Sequence, residues 1–440
     1  MKAPFGVAII GCGTVGNAAA KLLLSQASML FERTTQQISL RALVDIDFDR
    51  ARAAGLNEQL FREDFATVLA DDEIHLIIET IGGLSMARTI IEKALKAGKH
   101  VVSANKALLA NYGAELFELA RKNGVCIGFE ASCAGGIPIV RALVDGLLAN
   151  TNEAIYGILN GTANFILTEM VQNAKTYADA LKQAQADCIA ETDPNLDVNG
   201  MDSAHKLTLL GSLAFGASIS LDAIPVKGID ALNSFDVSAG LELGYVPKLL
   251  ATCCQTDKGL ELAVRPAFLA ETHPLARVSG VFNAISVYSS DAGHTMYYGR
   301  GAGGKATASA VVSDVISIAL GTWQILFSKL SIWPDRGRKA RIADFGESTH
   351  RQYLRFLIED RSGAVAEITA ALASRGISIK VFVLREDRRP SNLVPVVITT
   401  YEAREKDISE AFESIIAMPS VDKDAARIPI IDEQMESVRH

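Results

Sequence analysis

The stretch GCGTVG, Gly11 to Gly16, follows the apolar run FGVAIIG and leads into the helical pattern NAAAKLLLSQASML. A glycine-rich turn between a buried strand and a helix admits few folds. Gly11 permits the tight turn, Gly13 lets a pyrophosphate approach the backbone, and Gly16 lets the helix close on the strand. The helix N-terminus then offers unpaired N–H groups and the positive end of its dipole to an anion. The alternation continues along the chain. ISLRALVDID, IHLIIETIG, HVVSANK and VCIGFEAS read as strands, and FDRARAAG, MARTIIEKALKAGK and YGAELFELARKNG read as the helices between them. Strands spaced by helices imply right-handed crossovers and a parallel, doubly wound sheet. An α/β dinucleotide-binding domain of Rossmann type is expected over residues 1–134.

From Gly135 the rhythm changes to strands and helices of mixed length, among them AVRPAFLA, NAISVYSS and TMYYGR. An α+β domain around an antiparallel sheet is expected over 135–304, for substrate. TASAVVSDVISIAL reads as a helix folding back on the first domain, which residues 305–340 would complete. The polar stretch WPDRGRKARIADFGESTHR, broken by Pro and Gly, reads as a linker, centred on 341–350. The tail, 351–440, has the order strand (QYLRFLIED), helix (GAVAEITAALASRG), strand (ISIKVFVLRED), strand (NLVPVVITTY), helix (ISEAFESIIAM), strand (ARIPII), with a polar, proline-containing turn between its second and third strands. That is the ferredoxin-like βαββαβ layout.

Composition excludes several classes. The net charge is −8 and no dense Lys/Arg run occurs, which argues against nucleic acid and anionic membranes as partners. None of the six cysteines stands in a C-x-x-C pair or at zinc-ligand spacing, as fits a reducing cytosol. The N-terminal stretch lacks the charged start and cleavage site of a signal peptide, and no apolar run reaches the ~20 residues of a membrane span. A cytoplasmic location is expected.

Three sets of polar residues stand out. Asp45 ends the second strand, where an acid commonly accepts from an adenosine ribose hydroxyl and repels a 2′-phosphate; this favours NAD over NADP, although Arg41, Arg50 and Arg52 lie close in sequence. Lys106 closes HVVSANK near the carboxyl end of a parallel strand, either at the surface or pointing into the cleft. The third set is ETDPNLDVNGMDSAHK, residues 191–206. Asn195, Asp197, Asn199 and Gly200 imitate the start of a calcium loop, but Lys206 stands where a bidentate Glu is needed. Asp202 and Lys206, four apart at a helix start, share one face. Clustered acids beside the apolar run that follows call for a cation, such as a substrate's ammonium group.

The blocks GCGTVG, SANKALLA, FEASCAGGIPIV, ILNGTANFILTEM, ETDPNLDVNGMDSAHKLTLL and GRGAGGKATASAVVSD, in this order, resemble homoserine dehydrogenases. The resemblance implies reversible reduction of L-aspartate 4-semialdehyde to L-homoserine by NADH or NADPH, in a homodimer. It implies Lys206 and Lys106 as catalytic lysines. Glu191 and Asp202 would hold the substrate's ammonium, with Gly161, Thr162 and Asp197 in the same pocket. Gly11, Gly13, Thr14, Val15, Gly16, Asp45, Ser103, Lys106 and Gly303 would meet the cofactor. Glu130 and the carbonyls of Cys133, Gly135 and Ile137 would form a monovalent cation site, usually for sodium, an ion that suits hard oxygen donors.

The chemistry agrees with the resemblance: hydride delivered to an aldehyde carbon builds charge on oxygen, and an adjacent ammonium stabilises it and supplies the proton. Arg300, in GRGAGG, replaces the proline usual in such proteins. The tail resembles an ACT domain, with Ser362 in place of a common proline, and implies threonine as an effector. Two competing readings are a dehydrogenase of another small aldehyde or hydroxy acid, and a non-catalytic amino-acid sensor.

Overall fold

A computed structural model describes residues 3–385 and 393–432. The chain divides into two units. The first comprises Met1–Gly161, Asp202–Ile224 and Phe282–Ala340; the second comprises Thr162–Met201, Pro225–Val281 and Arg341–His440.

The first unit holds a six-stranded parallel sheet. Its order is Phe61–Arg62, Ile38–Val44, Phe5–Ile10, Ile74–Glu79, His100–Ser103 and Ile127–Gly128. The central strands are buried on both faces, with Val7, Ala8, Ile9, Leu76, Ile77 and Ile78 wholly enclosed. Chain order reverses between Phe5–Ile10 and Ile74–Glu79, the switch point at which ligands of such sheets bind. Helix Ser85–Lys96 buries Ala87, Ile90, Ile91, Ala94 and Leu95, the three-to-four spacing of a face laid on a sheet.

VCIGFEAS forms less strand than its apolar pattern suggests. Only Ile127–Gly128 pairs, and Glu130–Ala134 is already helical. Asp314 is the reason: its carboxylate accepts the Glu130 N–H at 2.9 Å, and its side chain fills the space in front of Gly128. Asp314 lies on the helix Gly304–Leu320, which packs on the helix Thr14–Ser25 as its sequence suggests. Trp333 opens the stretch read as a linker, and it is buried among Phe117, Phe129, Trp323 and Phe327. Three antiparallel strands, Asn152–Ile158, Phe282–Ser289 and Gly293–Arg300, also belong to this unit, the middle one pairing with both others.

In the second unit the strands Tyr245–Thr256 and Gly259–Ala270 form a long hairpin. Its second strand pairs in parallel with Ala426–Ile431. The sheet then runs through Thr349–Glu359 and Leu393–Thr400 to Ile379–Leu384, all antiparallel. Helices Ala364–Ser374 and Glu405–Ile416 close one face, their Ile368 and Ile408 buried in one core with Phe356, Ile358, Val396 and Ile398 of the strands. This is the ferredoxin-like tail. Its polar, proline-containing turn lies outside the described residues.

Candidate active site

The nucleotide loop has the geometry its glycines imply. Gly11 has φ +103°, and a Cβ there would stand 2.8 Å from the Thr80 carbonyl carbon. A Cβ on Gly16 would stand 1.9 Å from the Gly11 oxygen, so the helix closes on the strand only without one. The space in front of Gly13, which caps the helix carrying Thr14 and Val15, is open. A Cβ on Gly304 would come within 3.0 Å of the Thr14 side chain, which puts the loop around Gly303 against the nucleotide loop.

Asp45 is half-buried, and its carboxylate accepts from the Cys12 N–H inside the loop and from the Ile46 N–H at 2.7 Å. Arg52 pairs with Asp49 and Glu58, and Arg41 with Glu73. Arg300 is exposed, with its guanidinium 5.6 Å from the Phe282 ring centre.

Sequence reasoning missed Glu79, although an acid closing the apolar strand IHLIIE was a readable signal. Its buried carboxylate accepts from the Ile81 and Gly82 amides at 3.0 and 3.1 Å and from the Ser103 hydroxyl at 2.7 Å. Burial pushes its pKa up, against those hydrogen bonds. The Ser103 oxygen accepts the Asn105 N–H, and the Asn105 side chain caps the helix Lys106–Lys122 by accepting from Leu108. Glu79 thus fixes the strand end from which Lys106 emerges.

Lys106 and Lys206 converge on one carboxylate. Lys206 Nζ donates to Asp202 Oδ2 at 2.7 Å and to the Leu159 carbonyl at 2.6 Å. Lys106 Nζ lies 3.0 Å from Asp202 Oδ1, and Asn160 donates to Oδ2 at 2.9 Å. Asp202 and Lys206 are buried, while the Lys106 side chain is 39% exposed, at the mouth of the cluster. Burial alone would raise the Asp202 pKa; the charges of Lys206 and Lys106 outweigh it and hold the carboxyl well below the usual range. The Leu159 oxygen also accepts from Asn283 at 2.8 Å. Asp202, which the resemblance assigns to the substrate's ammonium, accepts here from both lysines. Leu159, Asn160 and Asn283 escaped sequence reasoning, because a main-chain oxygen has no signature of its own. Asn160 and Gly161 do stand in the motif ILNGTANFILTEM, Gly161 starting the helix Gly161–Gln172.

Three expected residues belong to the second unit. Glu191 is exposed, Asp197 is half-buried in the short helix Asn195–Val198, and buried Thr162 donates to the Ile189 carbonyl at 3.2 Å.

Around Glu130, burial and then the Asp314 charge push its pKa up to about 7, although its oxygens accept the Val140 and Arg141 amides at 2.8 and 2.9 Å. A cation held there would relieve that cost. Gly135, at φ +56°, turns the chain so that a Cβ would meet the Gly301 carbonyl at 2.6 Å. Cys133 is buried, and the Ile137 oxygen accepts from Ile139 at 2.8 Å. Among the described residues, no group of three or more His, Cys, Asp or Glu side chains is arranged for a metal.

No single helix among the described residues is long and apolar enough to cross a membrane.

A family model described as homoserine dehydrogenase matches residues 138–316. A second, its NAD binding domain, matches 11–130, and a third, the ACT domain, matches 352–419. The chain is 39% identical over 438 residues to a homoserine dehydrogenase of Neisseria gonorrhoeae, covering 99% of each. It superposes on a crystal structure of a homoserine dehydrogenase from Thiobacillus denitrificans with a TM-score of 0.91, 37% identity and 98% coverage of both chains. A hyperthermophilic archaeal homoserine dehydrogenase in complex with NADPH aligns with a TM-score of 0.61 and 26% identity, over 72% of this chain and 98% of that one. The chain belongs to the homoserine dehydrogenase family, NAD(P)-dependent oxidoreductases acting on a CH–OH group.

Proposed function

We propose that the chain interconverts L-aspartate 4-semialdehyde and L-homoserine, with Lys206 as the proton-handling group and Asp202 as the residue that positions it. The observation that carries this reading is the convergence of Lys206 and Lys106 on the buried Asp202 carboxylate. An ammonium has three donors. Leu159 and Asp202 take two from Lys206, which leaves one for the substrate's oxygen. A bound nicotinamide would supply the hydride for reduction, and Lys206 stabilises the charge growing on the aldehyde oxygen and gives its proton. In oxidation, neutral Lys206 takes the hydroxyl proton. Lys106, at the exposed mouth, orients the same oxygen. Glu191 and Asp202 are proposed to hold the amine, with Gly161, Thr162 and Asp197 lining the same pocket.

Gly11, Gly13, Thr14, Val15, Gly16, Ser103, Lys106 and Gly303 are proposed to meet the cofactor. The carboxylate of Asp45 favours NAD, since it would repel a 2′-phosphate. The NADPH bound by the archaeal relative makes NADP the required comparison. Glu130, with the carbonyls of Cys133, Gly135 and Ile137, would hold a sodium ion, which would neutralise the buried carboxylate and stiffen the turn. We further propose that the enzyme works as a cytoplasmic homodimer in threonine and methionine biosynthesis and that threonine inhibits it through the ACT domain. There Gly363, at φ +89°, opens the helix Ala364–Ser374. The test is a nicotinamide absorbance assay with L-homoserine, run with both cofactors, with and without threonine, and with Lys206→Ala as control. Turnover that survives in that variant overturns the assignment of Lys206.

A further inference from the structure

The second unit contains a cavity of about 320 Å³ that the dehydrogenase reaction does not use. Its volume lies within the range of small-molecule pockets, about 300–1,000 Å³. Apolar side chains such as Phe345 and Phe412 form part of the wall. Its charges are unbalanced. Lys227, Arg265 and Arg427 line it, against Glu405 and Asp236. Asp236 is already engaged by Arg355 at 2.7 Å and by the Tyr353 hydroxyl at 2.9 Å. That leaves Glu405 facing three cations. Its oxygens take Arg265 at 3.2 Å, Arg427 at 2.9 Å and the Gln352 amide at 3.2 Å. Lys227 is exposed and makes no ion pair among the described residues.

A solvated basic patch would spread its charges outward. Here the Arg265 side chain is 13% exposed and that of Glu405 only 7%, and the guanidinium is held 4.8 Å from the Phe345 ring centre. Like charges gathered in such a setting repel strongly, because the local dielectric is low. Lys227 keeps part of its side chain in solvent; the partial enclosure of the rest, and then the charge of Arg427, lower its pKa, while Glu405 and, from outside the lining, Asp230 raise it. An anion in the cavity would reverse that pressure.

We propose that this cavity binds a compact dianion, a short dicarboxylate or a phosphate ester, with Lys227 and Arg427 as its charge partners and the Phe345–Phe412 wall against its carbon skeleton. Among the lining side chains the three cations outnumber the one carboxylate left to them by two, which a dianion would match; Asp230 and Glu261 act on Lys227 and Arg265 from outside the lining.

The test is thermal unfolding of the full chain and of Lys227→Glu in disodium succinate, in sodium phosphate, and in sodium chloride of equal ionic strength. A ligand that binds only the native state raises Tm. The expected result is a rise of about 3 °C or more at saturation for the unsubstituted chain, lost in Lys227→Glu. A rise with succinate alone assigns a dicarboxylate, with phosphate alone a phosphate ester, and with both a site selecting on charge. An equal rise in chloride means screening and overturns the proposal. A rise that persists in Lys227→Glu means an anion held elsewhere, at the nucleotide loop for example, and overturns it too, as does no rise at all.

Discussion

Lys206 Nζ stands 2.7 Å from the Asp202 carboxylate one turn earlier on the same helix, and both side chains are buried. On a surface, an i, i+4 pair stabilises by about 0.3–0.5 kcal/mol and has little further consequence. In the interior the pair fixes an ammonium's position and aims its remaining donor. Lys206→Ala should therefore lower kcat by about 10²-fold or more in both directions, the scale of a lost general acid–base group. Steady-state nicotinamide absorbance measures it, and a loss confined to KM would show that Lys206 only binds substrate.

The direction of the reaction sets the pH response. Oxidation needs a neutral lysine as base, so kcat for homoserine oxidation should climb from mildly acidic to alkaline pH. Asp202 cannot produce that climb. Its pKa is depressed, so its ion-pair contribution is complete above the ordinary aspartate value and fades only at strongly acid pH. A flat profile of oxidation rate against pH would remove the lysine base from the mechanism.

Asp45 should govern cofactor choice through charge. In Asp45→Asn the repulsion toward a 2′-phosphate is gone, and a ribose hydroxyl loses a charged acceptor, an interaction of about 1.5–3 kcal/mol. The ratio of kcat/KM for NAD over NADP should fall by roughly tenfold or more. Asp45 also accepts the Cys12 amide, so both cofactors can weaken together. The ratio isolates the charge effect, and an unchanged ratio would show that Asp45 only shapes the loop.

The parts of the molecule legible in the sequence are those in which a local period or a backbone constraint does the work. The glycines of 11–16 announce a turn that side chains cannot enter, and the apolar runs around Val7 and Leu76 announce strands covered on both faces. The tail shows its order through alternating strand and helix patterns. Asp202 and Lys206 could be paired because a helix brings i and i+4 together. What escaped depends on residues far apart in the chain. Asp314 ends the strand at Gly128 from 184 residues beyond the Glu130 amide it accepts. The Leu159 oxygen receives Lys206 and Asn283 through tertiary placement alone. Lys106 by itself allowed two readings, and it satisfies both: partly exposed, yet paired with Asp202.

Lys248 offers a stability test apart from the catalytic lysines. It is buried, donates to the Val278 carbonyl and to Asn164 at 3.3 Å, and burial pushes its pKa down to about 8. The native chain releases this proton before the unfolded chain does. Between about pH 8 and the ordinary lysine value the unfolded state binds more protons, so stability should rise with pH, by ~3 kcal/mol over the whole window. Urea unfolding at pH 7, 8.5 and 10 should show this rise relative to Lys248→Met, in which it is absent. Parallel curves for the two chains would mean that Lys248 titrates normally.

Arg355 and Asp236 form the most enclosed ion pair among the described residues of the second unit, each side chain 1% exposed. Arg355 donates to the carboxylate at 2.7 and 3.3 Å, and the Tyr353 hydroxyl adds a third bond at 2.9 Å. Burial still leaves the Asp236 pKa raised, so the pair compensates its desolvation only in part. Arg355→Met strands a buried carboxylate and should cost about 3–5 kcal/mol. Adding Asp236→Leu and Tyr353→Phe removes the buried carboxylate and the hydroxyl bonded to it, while Asp424 is half-exposed to solvent, so the apolar triple variant should regain most of that loss, since well-packed apolar replacements of buried ion pairs are often neutral or stabilising. Urea midpoints of the single and triple variants decide it. A triple variant no more stable than Arg355→Met would show that the arginine acts mainly through its contacts with Asp424, whose carbonyl and carboxylate it also reaches at 2.8 Å, rather than by neutralising Asp236.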